Sequence, residues 1–160
     1  MLRPATKKDL EDLYEIFMDE SVNPSLSLDF MSLSLFRKEF DNILADGSLM
    51  VYETNGVVMG TCKISNYRHK QSHVACLEYT AIKPSYQGNG IGTAMLEGIL
   101  QELKDEGIKR VELHVAELSG SSIEFFKKFG FTVEGKLKKY FARSNQDEYA
   151  DSVLMAKIFE

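Results

Sequence analysis

With 160 residues, 44% hydrophobic and 27% charged, the chain has an ordinary globular composition and enough length to bury its own core. A formal net charge of −5 argues against broad phosphate-backbone binding, so no nucleic-acid partner is expected. The first residues, MLRPATKKDLEDL, lack a signal-like apolar stretch, and no run is long enough to span a bilayer; a soluble, cytoplasmic protein with no membrane partner is the expectation.

The two cysteines, Cys62 and Cys76, lie in apolar, strand-like runs with no Cys or His at metal-ligand spacing. They read as small buried hydrophobes, in keeping with a reducing compartment and no metal.

Residues 1–3 suit a short strand stopped by Pro4. Thr6 is a candidate N-cap with Asp9 three residues on, and Leu10, Leu13, Tyr14 and Phe17 follow the spacing of one buried helical face. That helix is expected to end between Asp19 and Asn23, before Pro24. In SLSLDFMSLSLF serine and leucine alternate as in a strand, but Phe36, Phe40, Ile43 and Leu44 restore helical spacing, which predicts a loop and then a helix over 29–45. After Gly47, residues 49–53 and 57–65 flank Asn55-Gly56, the signature of a hairpin with a type I′ turn. A polar loop over 66–72 leads into a strand over 74–82. Met95, Leu96, Ile99, Leu100 and Leu103 line one face of a helix starting at Ile91, with Gly107 beyond its end. A strand over 110–115 and a helix over 119–129, with Ile123, Phe126 and Phe129 inward and Gly130 as its C-cap, follow. Residues 131–142 and 149–158 form a closing antiparallel pair around Ser144-Asn145-Gln146-Asp147. No repeat or linker interrupts the chain, so a single domain over 1–160 is expected. The unit over 74–115 has the length of a βαβ crossover, so its strands should be parallel within a mixed sheet carrying helices on both faces.

The chemistry concentrates in IKPSYQGNGIGTAML, where Gly88, Gly90 and Gly92 alternate at the start of a helix. The first N–H groups of a helix have no intrahelical partner, and the dipole adds positive charge there. Glycines let the backbone turn and let an anion approach those amides, so a phosphate or pyrophosphate is the expected guest. A P-loop would need a lysine after the glycines, and none follows. A dinucleotide fingerprint would need G-x-G-x-x-G near the first strand; the spacing here is G-x-G-x-G, in mid-chain.

Gln87-Gly88-Asn89-Gly90-Ile91-Gly92 matches [RQ]-x-x-G-x-[GA], and the chain resembles the GCN5-related N-acetyltransferase (GNAT) superfamily in this signature. The order of elements is similar over essentially the whole length. IEFFKKFGF, residues 123–131, resembles the superfamily's second motif, which usually ends Y-x-K-x-G-F, and the tail over 133–159 is similar to the bacterial branch that acetylates amino acids and related small amines. The resemblance implies an α/β fold, a mostly antiparallel sheet whose central parallel pair splays apart. It implies acetyl-CoA as co-substrate, its pyrophosphate held by backbone amides of Gly88, Asn89, Gly90, Ile91, Gly92 and Thr93 after Gln87. The pantetheine arm would pair with backbone groups at Ala81, Ile82 and Lys83. Ser119, Ser122 and Phe126 would line the arm's path.

Acetyl transfer requires a neutral amine, a polarised carbonyl and a leaving thiolate. Glu78, an acid in an otherwise apolar strand, is the candidate base, and a backbone N–H near Ala81 or Ile82 would meet the oxyanion. The leaving-group side departs from the superfamily: Phe126 stands where it usually has a tyrosine acid, and Ser119 where it usually has asparagine. Tyr140 is the candidate substitute acid, and Ser119 also suits an ordinary N-cap. His69, His73 and His114 have no partner at metal or triad spacing and read as non-catalytic, and Lys136, Lys138 and Lys139 read as a solvated strand face. The expected function is therefore an N-acetyltransferase acting on a small primary amine, amino acids included. An acyl-CoA-binding sensor of the same fold with little turnover is the competing reading, and a homodimer through the C-terminal strands is consistent with either.

Overall fold

In chain order the elements of the computed structural model are β1 (Leu2–Pro4), α1 (Leu10–Phe17), α2 (Leu33–Leu44), β2 (Leu49–Thr54), β3 (Val57–Asn66), β4 (Val74–Ile82), α3 (Ile91–Asp105), β5 (Arg110–Ala116), α4 (Gly120–Lys128), β6 (Thr132–Ala142) and β7 (Tyr149–Ile158). The structure describes residues 1–143 and 147–160; Ser144, Asn145 and Gln146 of the expected closing turn lie outside the described residues. The strands form one seven-stranded sheet in the order β1-β2-β3-β4-β5-β7-β6. Only β4 and β5, joined by α3, run parallel; the other neighbours are antiparallel.

Local chemistry sets most boundaries. Thr6 and Asp9 form a reciprocal capping box, but the first turn, Lys7–Asp9, is a 3-10 turn, and α1 stops at Phe17, short of the expected 19–23. Asp9 also accepts both Arg3 Nη atoms, at 2.8 and 2.9 Å. Burial pushes its carboxyl up, and the Arg3 guanidinium with the Thr6 amide more than offsets this, holding Asp9 below its ordinary value. Ser32 caps α2 through the Leu35 amide, so that helix starts three residues later than its apolar spacing suggests. Asn55 (φ 52) and Gly56 (φ 79) adopt the left-handed geometry of a type I′ turn, as the dipeptide predicts. Pro4 falls inside β1 rather than after it, at the sheet edge, where a missing N–H costs little.

Two cores sit on opposite faces of the sheet. On one, Leu13, Ile16 and Phe17 of α1 and Phe36, Phe40 and Ile43 of α2 pack on Leu49, Val51, Val58 and Ala81. On the other, Met95, Leu96, Ile99 and Leu103 of α3 and Phe126 of α4 pack on Ala75, Leu77, Val111, Leu113 and Met155. β4 contributes odd-numbered residues to both. The reason is a bulge: Thr61 pairs with Ala81 but Lys63 with Glu78, so β4 carries one extra residue, and Tyr79 takes φ 49. One extra residue inverts the alternation of side chains, turning Ala81 toward α1 and α2 where Leu77 had faced α3.

Candidate active site

The bulge stands where the central strands part. β4 and β5 pair from Val74↔Arg110 to Leu77↔Leu113 and no further. Beyond that rung β4 continues along β3 through Ala81 and Ile82, while β5 continues along β7 through His114 and Val115. Each strand follows its outer neighbour, and a gap opens between them. Glu78 and His114 are the first residues past the last shared rung.

Backbone pairing decides which groups of β4 face that gap. The Lys83 N–H donates to the Met59 carbonyl at 2.8 Å. In an antiparallel ladder alternate residues bond to the same neighbour, so Ala81 and Lys83 turn their backbone groups to β3 and Ile82 turns its own away. The Gln87 side-chain amide donates to the Ile82 carbonyl at 3.0 Å, which leaves the Ile82 N–H directed into the gap. Of the three residues the resemblance implies for the cofactor arm, only Ile82 offers backbone groups there. The Lys83 side chain reaches Glu15 at 3.1 Å on α1, and this ion pair raises its pKa.

The glycine turn has the form of an anion cradle. Gly88 (φ 79) and Gly90 (φ 78) are both left-handed, and a Cβ on either would meet open space, so conformation rather than crowding calls for glycine. Gly92 is a close-approach glycine, its Cβ position 3.5 Å from Ile82 and 3.7 Å from Phe125. Gly90 is the N-cap of α3 without a side-chain cap bond. Among the described residues, the first backbone N–H after Gln87 to find a carbonyl is that of Ala94, so the amides of residues 88–93 are free of the chain. These amides open on a cleft of about 830 Å³, within the range of small-molecule sites. Ala81, Ile82, Gln87, Gly88, Gly90, Gly92 and Thr93 line one wall, and Ser119, Ser122 and Phe126 the other. Asn89 is exposed in the turn and Ile91 is the first residue of α3; neither lines the cleft.

A smaller cavity of about 160 Å³ adjoins the cleft and holds both candidate catalytic side chains, Glu78 and Tyr140. Thr80, Ser122, Phe126 and Ser25 line both spaces. Glu78 is exposed to this cavity, with the Ser65 hydroxyl 3.4 Å from Oε2. Tyr140 reaches it because β6 slips by two residues between Leu137↔Ser152 and Phe141↔Ala150. Lys139 (φ 52) sits in that slip, its N–H held by the Asp151 carboxylate at 2.9 Å. The Tyr140 ring lies edge-on to His114, 5.1 Å between centroids. His114 does point outward from the core, as its alternation predicts, and outward here is the cavity wall.

Cys76 is the cavity's other nucleophile. Burial, then the Glu78 and Glu112 carboxylates, push its thiol up to about 12; burial takes Cys62 to about 12 as well. Both are neutral thiols at pH 7, which disfavours a route through an acylated cysteine. Phe126 packs against Phe125 and Phe131 and carries no proton. Ser119 holds the N-cap position of α4 but makes no capping bond; its hydroxyl lies 3.1 Å from that of Ser25, on the connection between α1 and α2. Among the described residues, no group of three or more His, Cys, Asp and Glu is placed to hold a metal ion, and no helix is long and apolar enough to cross a membrane.

Sequence reasoning missed three features of this site: the bulge at Tyr79, the cavity-facing His114, and the Ser25–Ser119 contact. The first two arise from register with neighbouring strands, and the third joins residues 94 apart in the chain. None leaves a local signal, apart from an outward-facing histidine in an apolar strand.

Comparison with known proteins agrees with this geometry. The model of the Acetyltransferase (GNAT) family matches residues 10–131. The L-amino acid N-acetyltransferase AaaT of Escherichia coli is 31% identical over 107 residues, 65% of this chain and 64% of that protein. The chain spans 54% to 64% of the length of the curated relatives it matches. Among solved structures, a ribosomal-protein-alanine N-acetyltransferase from Brucella melitensis superposes with a TM-score of 0.78 at 23% identity, covering 99% of both chains. A phosphinothricin acetyltransferase from Sinorhizobium meliloti, solved in complex with AcCoA, gives 0.75 at 22% identity, covering 99% of this chain and 88% of that one. The splayed parallel pair, the free amides of the glycine turn and the family match lead to one assignment: this chain belongs to the GNAT family of acetyltransferases.

Proposed function

We propose that the protein is an acetyl-CoA-dependent N-acetyltransferase that acts on the primary amine of a small molecule by direct attack. The observation that carries this reading is the row of free amides over 88–93, at the mouth of the gap between β4 and β5. The residues fit the co-substrate: Gly88, Gly90 and Gly92 leave the amides accessible to a pyrophosphate, and Ile82, Ser119, Ser122 and Phe126 line the path of its pantetheine arm. Bound acetyl-CoA supplies the acetyl group: the amine nitrogen bonds to the carbonyl carbon, the C–S bond breaks, and one proton passes, net, from nitrogen to the released thiolate.

The chain's own groups have distinct tasks in this reading. The Glu78 carboxylate attracts the ammonium and accepts its proton. The Ile82 N–H, facing the gap, stabilises negative charge on the carbonyl oxygen. The Tyr140 hydroxyl delivers a proton to the leaving sulfur, a modest demand because a thiol pKa is about 8.5. The Ser25–Ser119 contact stands on the partition between the cleft and the cavity and limits the entry of water.

Phe126 favours a second reading, an acyl-CoA sensor with little turnover. Thiol release from acetyl-CoA, measured across amino acids, polyamines, arylalkylamines and peptides, separates the two. Release well above background with at least one amine is the expected result. Thermal stabilisation by acetyl-CoA with silence across the panel favours the sensor. Stabilisation by ATP or NADH, and none by acetyl-CoA, contradicts both.

A further inference from the structure

We infer that the acceptor is a primary amine with no carboxylate on the adjoining carbon, such as an arylalkylamine or a peptide amino terminus, and that a free α-amino acid is a poor acceptor. The inference rests on the acetyl-transfer reading above and concerns the lining of the smaller cavity.

Among the described residues, Glu78 is the one carboxylate in that lining, and no lysine or arginine joins it. The cations around it are committed elsewhere. Lys63, its cross-strand partner, turns to Asp46 and the Ile43 carbonyl. Lys83 is held by Glu15, and Arg110 by Glu112 and Glu134. Glu78 is thus a carboxylate with a serine hydroxyl for company and no cation to neutralise it. Its field is felt by its neighbours: together with burial it raises the Cys76 thiol and the Tyr79 phenol. His114 is the one lining group able to carry positive charge, and its ring is taken edge-on by Tyr140. The serines at the start of α4, Ser119 and Ser121, line the larger cleft rather than this cavity.

An α-amino acid brings its carboxylate one carbon from its amine. Placing that nitrogen at Glu78 sets two carboxylates close together with no cation between them, which disfavours binding of the doubly ionised pair. A site can select its ligand by such repulsion as well as by attraction. Leu26 and Phe141 add an apolar wall suited to the organic body of an amine.

The test uses one skeleton with and without the carboxylate: 2-phenylethylamine, L-phenylalanine and a phenylalanyl peptide amide, each with acetyl-CoA and the full chain. 2-Phenylethylamine has the more basic nitrogen, so basicity cannot produce the expected order. Its kcat/KM, or that of the peptide amide, should exceed that of phenylalanine by about ten-fold or more, and Glu78→Gln should bring the ratio to within about three-fold. Which of the two leads tells a small-molecule source from a peptide one. Phenylalanine used as well as or better than both overturns the inference. Calorimetric binding of the same compounds should give the same order without turnover, so an enzyme silent in thiol release removes the catalytic reading and leaves selection by the cavity measurable. Equal binding of phenylalanine overturns the selection.

Discussion

Gly90→Asp is expected to weaken acetyl-CoA binding by about a hundred-fold or more, and Gly90→Asn by no more than about ten-fold. Gly90 is left-handed at φ 78, a conformation both substitutes tolerate better than other residues do. Neither meets a neighbour, because a Cβ at this position has open space around it. Shape and strain therefore cancel between the two variants, and charge remains. A carboxylate about 5 Å from a phosphate, at an effective dielectric of about 20, is repelled by about 3 kcal/mol, which is about a hundred-fold in affinity. It also lies at the positive end of α3 and neutralises the field that draws the anion. Calorimetric titration with acetyl-CoA, after circular dichroism has shown native helix content, measures the difference. Equal affinities for the two variants would take the pyrophosphate away from this turn.

The second large effect falls on turnover rather than binding. Glu78→Gln keeps the side chain's size and removes its ability to accept a proton, so kcat should fall by about a hundred-fold to ten-thousand-fold. Acetyl-CoA affinity should not change, because Glu78 lines the smaller cavity and not the cleft. Its pH dependence identifies the role. Without a base, only amine that arrives neutral reacts, so the variant's rate should climb toward the amine's own pKa, about 7.7–8.0 for an α-amine and about 10.4 for a lysine-type one. The wild-type rate should reach its plateau at lower pH. A loss below about three-fold, with an unshifted profile, would assign the base to another group.

The parts of this site that were legible in the sequence are those fixed by local backbone chemistry. Gly88 and Gly90 announce left-handed residues, Asn55-Gly56 a type I′ turn, and the run from Met95 to Leu103 one apolar helical face. The parallel pairing of β4 and β5 followed from the length of the crossover between them. What could not be read is what depends on register. The bulge at Tyr79 exists because β3 spends one residue fewer than β4 over the same span, and that comparison needs both strands in place. Its consequence for Ile82, the one residue of its trio with backbone groups facing the gap, was equally hidden. Tyr140 was a candidate by residue type, but the two-residue slip of β6 that turns it to the cavity depends on Asp151 of β7. Ser119 suited a helix cap by its position; its hydroxyl instead meets Ser25, a contact no local pattern encodes. The start of α2 was misplaced for a simpler reason: one serine among several in an alternating stretch makes the capping bond, and the pattern does not say which.

The claim on which the rest depends is that the backbone amides over 88–93 take the pyrophosphate of acetyl-CoA. Amide hydrogen exchange of the full chain, resolved by residue, measures this directly. With saturating acetyl-CoA those amides should become protected together, and acetylpantetheine, which has the thioester and the arm but no pyrophosphate, should leave them exchanging as in the free protein. Equal protection by the two compounds, or protection by acetyl-CoA that leaves residues 88–93 unchanged, would contradict the account.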